Sequence, residues 1–107
     1  MDLQIGSFRA RDGAKLHYEH WAPPAFKATL VLVHGMGEHC SRYGPFVEHF
    51  TQRGYRVLLY DQRGHGRSEG KRVFVKRFET LLDDLSDYLD FSLNSSPASP
   101  LFLIGHS

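Results

Sequence analysis

Three short, almost uninterrupted apolar runs constrain the fold of this chain more than any other feature. They are "TLVLV" at 29–33, "YRVLLY" at 55–60 and "LFLI" at 101–104. Such runs are typical of strands that are buried on both faces, as in a parallel sheet. The stretches between them are long enough for the helical crossovers that parallel strands need. The sequence therefore predicts a parallel sheet with helices packed on it.

The first helix is predicted between the first two runs. It begins near Pro45, which suits an opening turn, and it ends before Gly54, which suits the position after the last turn. Three apolar side chains are predicted to share its inner side: Phe46, Val47 and Phe50.

The second helix covers about residues 78–93, where apolar side chains recur at helical spacing. Those predicted to face the sheet are Phe78, Leu81, Leu82, Leu85 and Leu89. The aspartates predicted to lie mostly on the solvent side are Asp83, Asp84, Asp87 and Asp90. The stretch "NSSPASP" at 94–100 then ends the helix and leads into the last strand.

Residues 3–21 are predicted to form an antiparallel hairpin around Asp12-Gly13, because glycine accepts the positive φ of a tight turn. The second arm, "KLHYEHWA", has a period of two, which predicts one covered and one solvated face. Pro23 and Pro24 then end the ladder. The whole chain is thus predicted to be α/β, an antiparallel hairpin followed by a parallel β-α-β-α-β unit.

Composition narrows the classes of protein to which the chain can belong. Its 107 residues suit one modest domain, and its formal charge of +1 gives no overall attraction to nucleic acid. The single cysteine, Cys40, excludes an internal disulfide, and the amino terminus lacks the pattern of a signal peptide. No apolar run approaches the length of a membrane span. A soluble, cytoplasmic protein is predicted, with peripheral membrane attachment left open.

The segment "HGMGEH" at 34–39 directly follows the first apolar run. Its glycines allow a sharp turn that aims a backbone N–H outward, and an oxyanion needs such a donor at roughly 2.7–3.1 Å. The Met36 N–H is the candidate donor, although the motif alone favours a purely geometric turn. A dinucleotide loop is disfavoured because Cys40 stands where its third glycine is required. His34 and His39 lack a third metal ligand at matching spacing.

The segment "DQRGHGRSEG" at 61–70 follows the second run. Its glycines suit tight turns, and Asp61 and Arg63 can hold the turn through side-chain hydrogen bonds, so a structural role is predicted. A catalytic triad of Asp61, His65 and Ser107 is a sharper alternative, since that residue order exists on another fold. It is disfavoured because Asp61 and His65 share a short loop and nothing in the pattern aims both at Ser107.

Gly105-His106-Ser107 follows the third run and matches the first three residues of the G-x-S-x-G nucleophile elbow. In that elbow a tight strand-to-helix turn exposes the serine hydroxyl. The tripeptide alone is common by chance, but its position after a third predicted strand favours Ser107 as a nucleophile. All three segments lie just beyond the carboxyl ends of predicted parallel strands, where open α/β sheets bind their ligands.

Taken in order, these motifs resemble the amino-terminal part of an α/β-hydrolase. The resemblance is strongest to the monoacylglycerol lipase and lysophospholipase branch, whose domain is also described as a serine aminopeptidase-type hydrolase. It rests on "HGMGEH" with "SRY" at 41–43, on "GYRVLLYDQRGHGRSEG" at 54–70 and on "LFLIGHS" at 101–107. It covers nearly the whole chain, from about Asp12 to Ser107, and the combined pattern is more specific than any single glycine motif.

The resemblance implies a fold, a chemistry and site residues. Residues 1–107 would form an incomplete α/β-hydrolase domain, with the hairpin and a loop in 1–26 and the parallel part in 27–107. Ser107 would be the catalytic nucleophile, and the Met36 N–H would be one donor of the oxyanion hole. The implied substrate is a lipid ester, a monoacylglycerol or a lysophospholipid, cleaved through an acyl-enzyme without a cofactor or a metal.

In this fold the catalytic acid and histidine follow the serine in sequence, so both are expected beyond Ser107. Losing a serine-hydrolase triad costs on the order of 10⁴–10⁶ in turnover. The chain is therefore expected to be a truncated part of a larger hydrolase, inactive by itself, with an uncovered apolar edge at its last strand. Two alternatives stay open: another reaction on this fold, such as peptide, epoxide or lactone cleavage, and a non-catalytic binding module.

Overall fold

A computed structural model describes residues 1–93 and 100–106 of the chain. Its elements in chain order are β1 (Asp2–Arg9), β2 (Lys15–Ala22), β3 (Ala28–Val33), α1 (Gly44–Thr51), β4 (Tyr55–Tyr60), α2 (Phe78–Leu93) and β5 (Leu101–Gly105). The strands form one sheet in the order β1-β2-β4-β3-β5. The predicted hairpin, followed by a parallel β-α-β-α-β unit, is confirmed.

The parallel part of the sheet is built around β3, which pairs with β4 on one side and with β5 on the other. Val31 and Val57, in β3 and β4, are fully buried, as predicted for strands covered on both faces. The ladder places Val33 opposite both Tyr60 and Gly105. The three strands therefore end side by side, and the segments that follow them meet at one edge of the sheet.

The hairpin of β1 and β2 extends the sheet, because β2 also pairs in antiparallel fashion with β4. Gly13 in its turn has a φ of +90°, as the sequence predicted. The prediction that one face of β2 is solvated is wrong. His17 and Glu19 are each only 8% exposed, and their side chains pair with each other at 3.1 Å. A local mutual contact, invisible to periodicity, lets two polar side chains occupy the core.

The first helix matches its prediction closely. A 3₁₀ turn over Cys40–Tyr43 leads into α1, and Pro45 lies in the opening turn. Gly54, after the helix, has a φ of +87°, a conformation that favours glycine. The predicted inner side chains pack against a core cluster from β3 and β4: Phe46, Val47 and Phe50.

The second helix has the predicted bounds, but its buried face differs from the prediction. Asp84, expected in solvent, is 2% exposed, whereas Phe78 and Leu82, expected inside, are 66% and 52% exposed. The helix is oriented by Tyr88, which packs against the aromatic rings of the core, and by Arg63, which neutralises Asp84. No helix in the described residues is long and apolar enough to cross a bilayer.

The last strand, β5, forms an edge of the described sheet. Leu101, Phe102 and Leu103 are 44%, 54% and 54% exposed. The apolar run at this position therefore does not mark a strand covered on both faces here, in contrast to β3 and β4. An uncovered apolar edge is what the sequence led us to expect for this strand.

Candidate active site

The three predicted site segments lie together where the parallel strands end. We refer to residues 34–39, after β3, as the first loop, and to residues 61–70, after β4, as the second loop. His106 follows β5, and its N–H donates to the Val33 carbonyl at 3.0 Å, which fixes it beside the first loop. Ser107, the predicted nucleophile, lies outside the described residues.

The first loop presents the backbone N–H of Met36. The N–H groups on either side are occupied, because Gly35 donates to Glu38 Oε1 at 3.2 Å and Gly37 donates to His65 Nε2 at 2.9 Å. Within residues 1–93 and 100–106, no group accepts a hydrogen bond from the Met36 N–H. The arrangement leaves this N–H available to a ligand.

Two histidines link the loops reciprocally. His65 in the second loop accepts the Gly37 N–H, and His34 in the first loop accepts the Gln62 N–H, each at 2.9 Å. On both rings Nδ1 contacts a backbone carbonyl, at 2.8 Å for His34 and 2.9 Å for His65. A backbone N–H can only donate and a carbonyl can only accept, so both rings are neutral with the proton on Nδ1. Burial lowers the pKa of His34, which favours this neutral form.

The carboxylate of Glu38 joins the first loop to the end of β5. Its Oε1 accepts the Tyr43 hydroxyl at 2.6 Å and lies 3.0 Å from His106 Nδ1. The hydrogen bond from Tyr43, followed by that from His106, lowers the pKa of Glu38 to about 2. The carboxylate is therefore charged at neutral pH and holds His106, the neighbour of Ser107, against the first loop.

Asp61 fixes the geometry of the second loop. It is 3% exposed and accepts backbone N–H groups from Cys40 at 2.6 Å and from Arg67 at 3.0 Å. Burial opposes its charge, but the N–H donors, led by Arg67, outweigh burial and lower the pKa of Asp61. Both ring nitrogens of His65 are engaged elsewhere, so Asp61 and His65 form no acid–base pair. Asp61 has the structural role that the sequence predicted.

Arg63 anchors the second loop to α2 and to the hairpin turn. Its Nη2 and Nε reach the two carboxylate oxygens of Asp84, at 2.9 and 3.0 Å. Its Nη1 lies 2.9 Å from Asp12 Oδ2. The hydrogen bonds to Asp84 and then Asp12 raise the pKa of Arg63, so this cation remains charged and the loop has a firm support.

An apolar groove of about 560 Å³ opens beside the first loop. Its walls come from both loops, from the ends of β3, β4 and β5, and from α2. Three of its apolar lining residues are largely exposed to solvent: Met36 at 62%, Phe78 at 66% and Leu82 at 52%. The part of the lining that the structure describes contains no carboxylate. The groove suits a ligand with an apolar portion.

Two other chemistries find no support in the described residues. Burial and then the nearby Asp61 raise the pKa of Cys40, so its thiol is not activated as a nucleophile. His34 has both ring nitrogens engaged and cannot join His39 around a metal. Across 1–93 and 100–106, no group of three His, Cys, Asp or Glu side chains could hold a metal ion.

Sequence reasoning missed the contacts of Glu38, Tyr43 and His65. Glu38 and Tyr43 belong to the motifs quoted above, but no spacing rule shows that both would meet His106, which is 68 residues from Glu38 and 63 from Tyr43. The glycines on either side of His65 were the available signal, because a side chain between two tight turns has a defined direction.

Comparison with known proteins addresses the family. The family model described as serine aminopeptidase, S33, matches residues 24–107. Monoglyceride lipase of Rattus norvegicus is 36% identical over 97 residues, which is 90% of this chain and 32% of the rat protein. Monoacylglycerol lipase of Mycolicibacterium smegmatis is 34% identical over 102 residues, 94% of this chain and 36% of that protein. The chain thus spans about a third of the length of these relatives.

A solved structure supports the same relationship. A soluble variant of monoglyceride lipase from Saccharomyces cerevisiae, in complex with a substrate analogue, superposes with a TM-score of 0.82 at 30% identity, over 99% of this chain and 35% of that chain. The family model covers well over half of the chain, and the predicted fold class is confirmed. The chain therefore belongs to the serine aminopeptidase (S33) family of the α/β-hydrolases.

Proposed function

We propose that this chain is the amino-terminal part of a serine hydrolase that cleaves carboxylic esters of lipids, such as monoacylglycerols or lysophospholipids. Ser107 is its nucleophile, and the Met36 N–H donates to the oxyanion. The observation that carries the proposal is the Met36 N–H, free between two occupied N–H groups at the mouth of an apolar groove. Relatives named monoglyceride lipase and monoacylglycerol lipase support the substrate class.

In the proposed reaction Ser107 Oγ attacks the ester carbonyl carbon while its proton passes to a general base. The C–O bond to the alcohol then breaks, and the alcohol oxygen leaves with that proton. Water hydrolyses the acyl-enzyme in the same way. The acid and the base follow the nucleophile in this fold, so the 107 residues alone supply a nucleophile and a donor but no turnover.

Charge stabilisation is the part of the reaction that the described residues perform. The carbonyl oxygen gains negative charge in the tetrahedral stage, and a preorganised N–H at roughly 2.7–3.1 Å stabilises it. Glu38 binds both the Gly35 N–H and His106, so it holds the donor loop and the residue before Ser107 at a set distance. The acyl chain occupies the apolar groove. A cytoplasmic location with peripheral contact to the membrane that supplies such substrates belongs to the same proposal.

Peptide cleavage is the second candidate, because the family is described as serine aminopeptidase. An enzyme that selects a peptide amino terminus needs an anionic group for its ammonium. Glu38 accepts the Gly35 N–H next to the donor, but its carboxylate is already committed to Tyr43 and His106. An apolar groove without a described carboxylate favours the lipid ester.

Labelling with a fluorophosphonate probe tests the proposal directly. We expect the full-length protein to be labelled and its Ser107→Ala variant to remain unlabelled, while residues 1–107 alone show no labelling. Hydrolysis of a monoacylglycerol is then compared with hydrolysis of an aminoacyl amide. Equal labelling of Ser107→Ala would refute the nucleophile, and preference for the amide would replace the lipid ester by a peptide.

A further inference from the structure

We propose that His65 is a positioning residue for the oxyanion donor. It accepts the Gly37 N–H at 2.9 Å, and in this way it holds the first loop so that the neighbouring Met36 N–H stays at the mouth of the groove. The inference rests on the proposed function, because it requires the Met36 N–H as donor. His65 acts through the backbone and makes no contact with the reacting atoms.

The surroundings of His65 fix its ring before any substrate binds. The side chain is 4% exposed, and Nδ1 donates to the Arg63 carbonyl at 2.9 Å, which leaves Nε2 as the acceptor. Arg63 in turn binds Asp84 of α2 through two hydrogen bonds. A continuous series of contacts thus connects a helix of the scaffold to the Gly37 N–H.

Gly37 needs such a restraint because its own backbone is free to move. Its φ is +84°, and a Cβ built on it would meet nothing within 4 Å, so packing does not limit its backbone. Glycine also has the widest backbone freedom of all residues. The Glu38 N–H also donates to the Gly35 carbonyl at 3.0 Å and closes the turn around these residues. The hydrogen bond to His65 is the contact that holds the Met36–Gly37 peptide from outside the loop, and the Glu38 side chain holds the Gly35 N–H.

Two conservative substitutions in the full-length enzyme separate positioning from general stability. The amide oxygen of His65→Gln can reach the place of Nε2 and accept the Gly37 N–H. The shorter His65→Asn places its amide near Nδ1, so it keeps a donor for the Arg63 carbonyl and loses the acceptor. We expect His65→Asn to lower kcat for a monoacylglycerol by on the order of 10–100-fold, less than the ~10²–10³-fold loss of a donor itself. KM should be unchanged, and His65→Gln should recover most of the kcat.

A double-mutant cycle with Met36→Pro completes the test, since proline removes the donor N–H. His65→Asn should cost no further kcat in the Met36→Pro background. Two results would overturn the role of His65 but leave the proposed function in place. One is a kcat for His65→Asn equal to that of the parent. The other is an equal loss of kcat in His65→Asn and His65→Gln that follows their melting temperatures. Parental kcat in Met36→Pro would instead overturn the proposed oxyanion donor, and the role of His65 with it.

Discussion

Arg63 Nη2 lies 2.9 Å from Asp84 Oδ1, and this contact places an aspartate in the core of an otherwise amphipathic helix. Asp84 is 2% exposed and the second carboxylate oxygen accepts Arg63 Nε. The pair attaches the second loop to α2. Both the stability of the fold and the geometry of the candidate site therefore depend on the Arg63 guanidinium.

Removing Arg63 should therefore be costly for folding. Arg63→Ala leaves the Asp84 carboxylate buried without a partner, and breaking a buried pair in this way costs about 3–5 kcal/mol. Arg77→Ala is the matched control, because its contact with Glu79 is 3.6 Å long and solvent-exposed. Such a pair contributes about 0–1 kcal/mol. Urea unfolding of the full-length variants measures both, and equal losses would contradict the special role of the buried pair.

Gly66 should tolerate no side chain. Its φ is +51°, and a Cβ there would overlap the Asp61 carboxylate, whereas a Cβ at Gly13, with a φ of +90°, meets nothing within 4 Å. Gly13→Ala should cost only the backbone strain, about 1–2 kcal/mol. Gly66→Ala should cost clearly more and disturb the hydrogen bond from the Cys40 N–H to Asp61. Thermal unfolding and the amide exchange rate of Cys40 report the two effects, and similar unfolding for both variants would speak against the overlap.

His20 should make stability depend on pH. Burial, with a smaller contribution from Arg56, lowers its pKa from 6.5 to about 4. Below pH 6.5 the His20 imidazole binds a proton in the unfolded chain but not in the folded chain. The contribution of neutral His20 to the free energy of unfolding is therefore complete above pH 6.5 and is lost as the pH falls towards 4. The loss is on the order of 2–3 kcal/mol.

The measurement for His20 is the free energy of unfolding between neutral pH and about pH 4, for the parent and for His20→Gln. Glutamine can still donate to the Tyr88 hydroxyl, which His20 Nε2 contacts at 2.9 Å, but it does not titrate. The variant should show a smaller loss of stability on acidification. Parallel curves for the two proteins would exclude His20 as the titrating group.

Met36→Pro should lower kcat without a matching change in stability, because Met36 itself is exposed and loses an N–H that no described group accepts. The expected loss is about 10²–10³-fold. Met36→Ala keeps the N–H and shortens only the exposed side chain, so its effect should fall mainly on KM through the groove. Steady-state kinetics of both variants with a monoacylglycerol decide this, and comparable kcat values would count against the N–H.

The strands and helix bounds could be predicted because they depend on local pattern. The apolar runs of β3 and β4 mark strands covered on both faces, and the leucine spacing of α2 marks its length. The orientation of α2 could not be predicted, because Asp84 enters the core only through a partner 21 residues earlier. His17 and Glu19 escaped prediction for the same reason, since each is buried by its contact with the other.

The position of the candidate site followed from topology, because parallel strands that end together bring their loops together. Its hydrogen bonds did not follow. Gly37 and His65 are 28 residues apart, as are His34 and Gln62, so no periodicity in the sequence indicates either contact. The sequence does not show whether a histidine accepts a backbone N–H or binds a metal, and only the structure distinguishes the two roles.

The reciprocal hydrogen bonds of His34 and His65 have a consequence for engineering. Each loop contains the acceptor that the other requires. Exchanging one of them with the corresponding segment of another hydrolase therefore breaks both bonds, and it leaves one backbone N–H without its acceptor and one imidazole nitrogen without its donor. An exchange that keeps these contacts therefore has to move both segments as a unit.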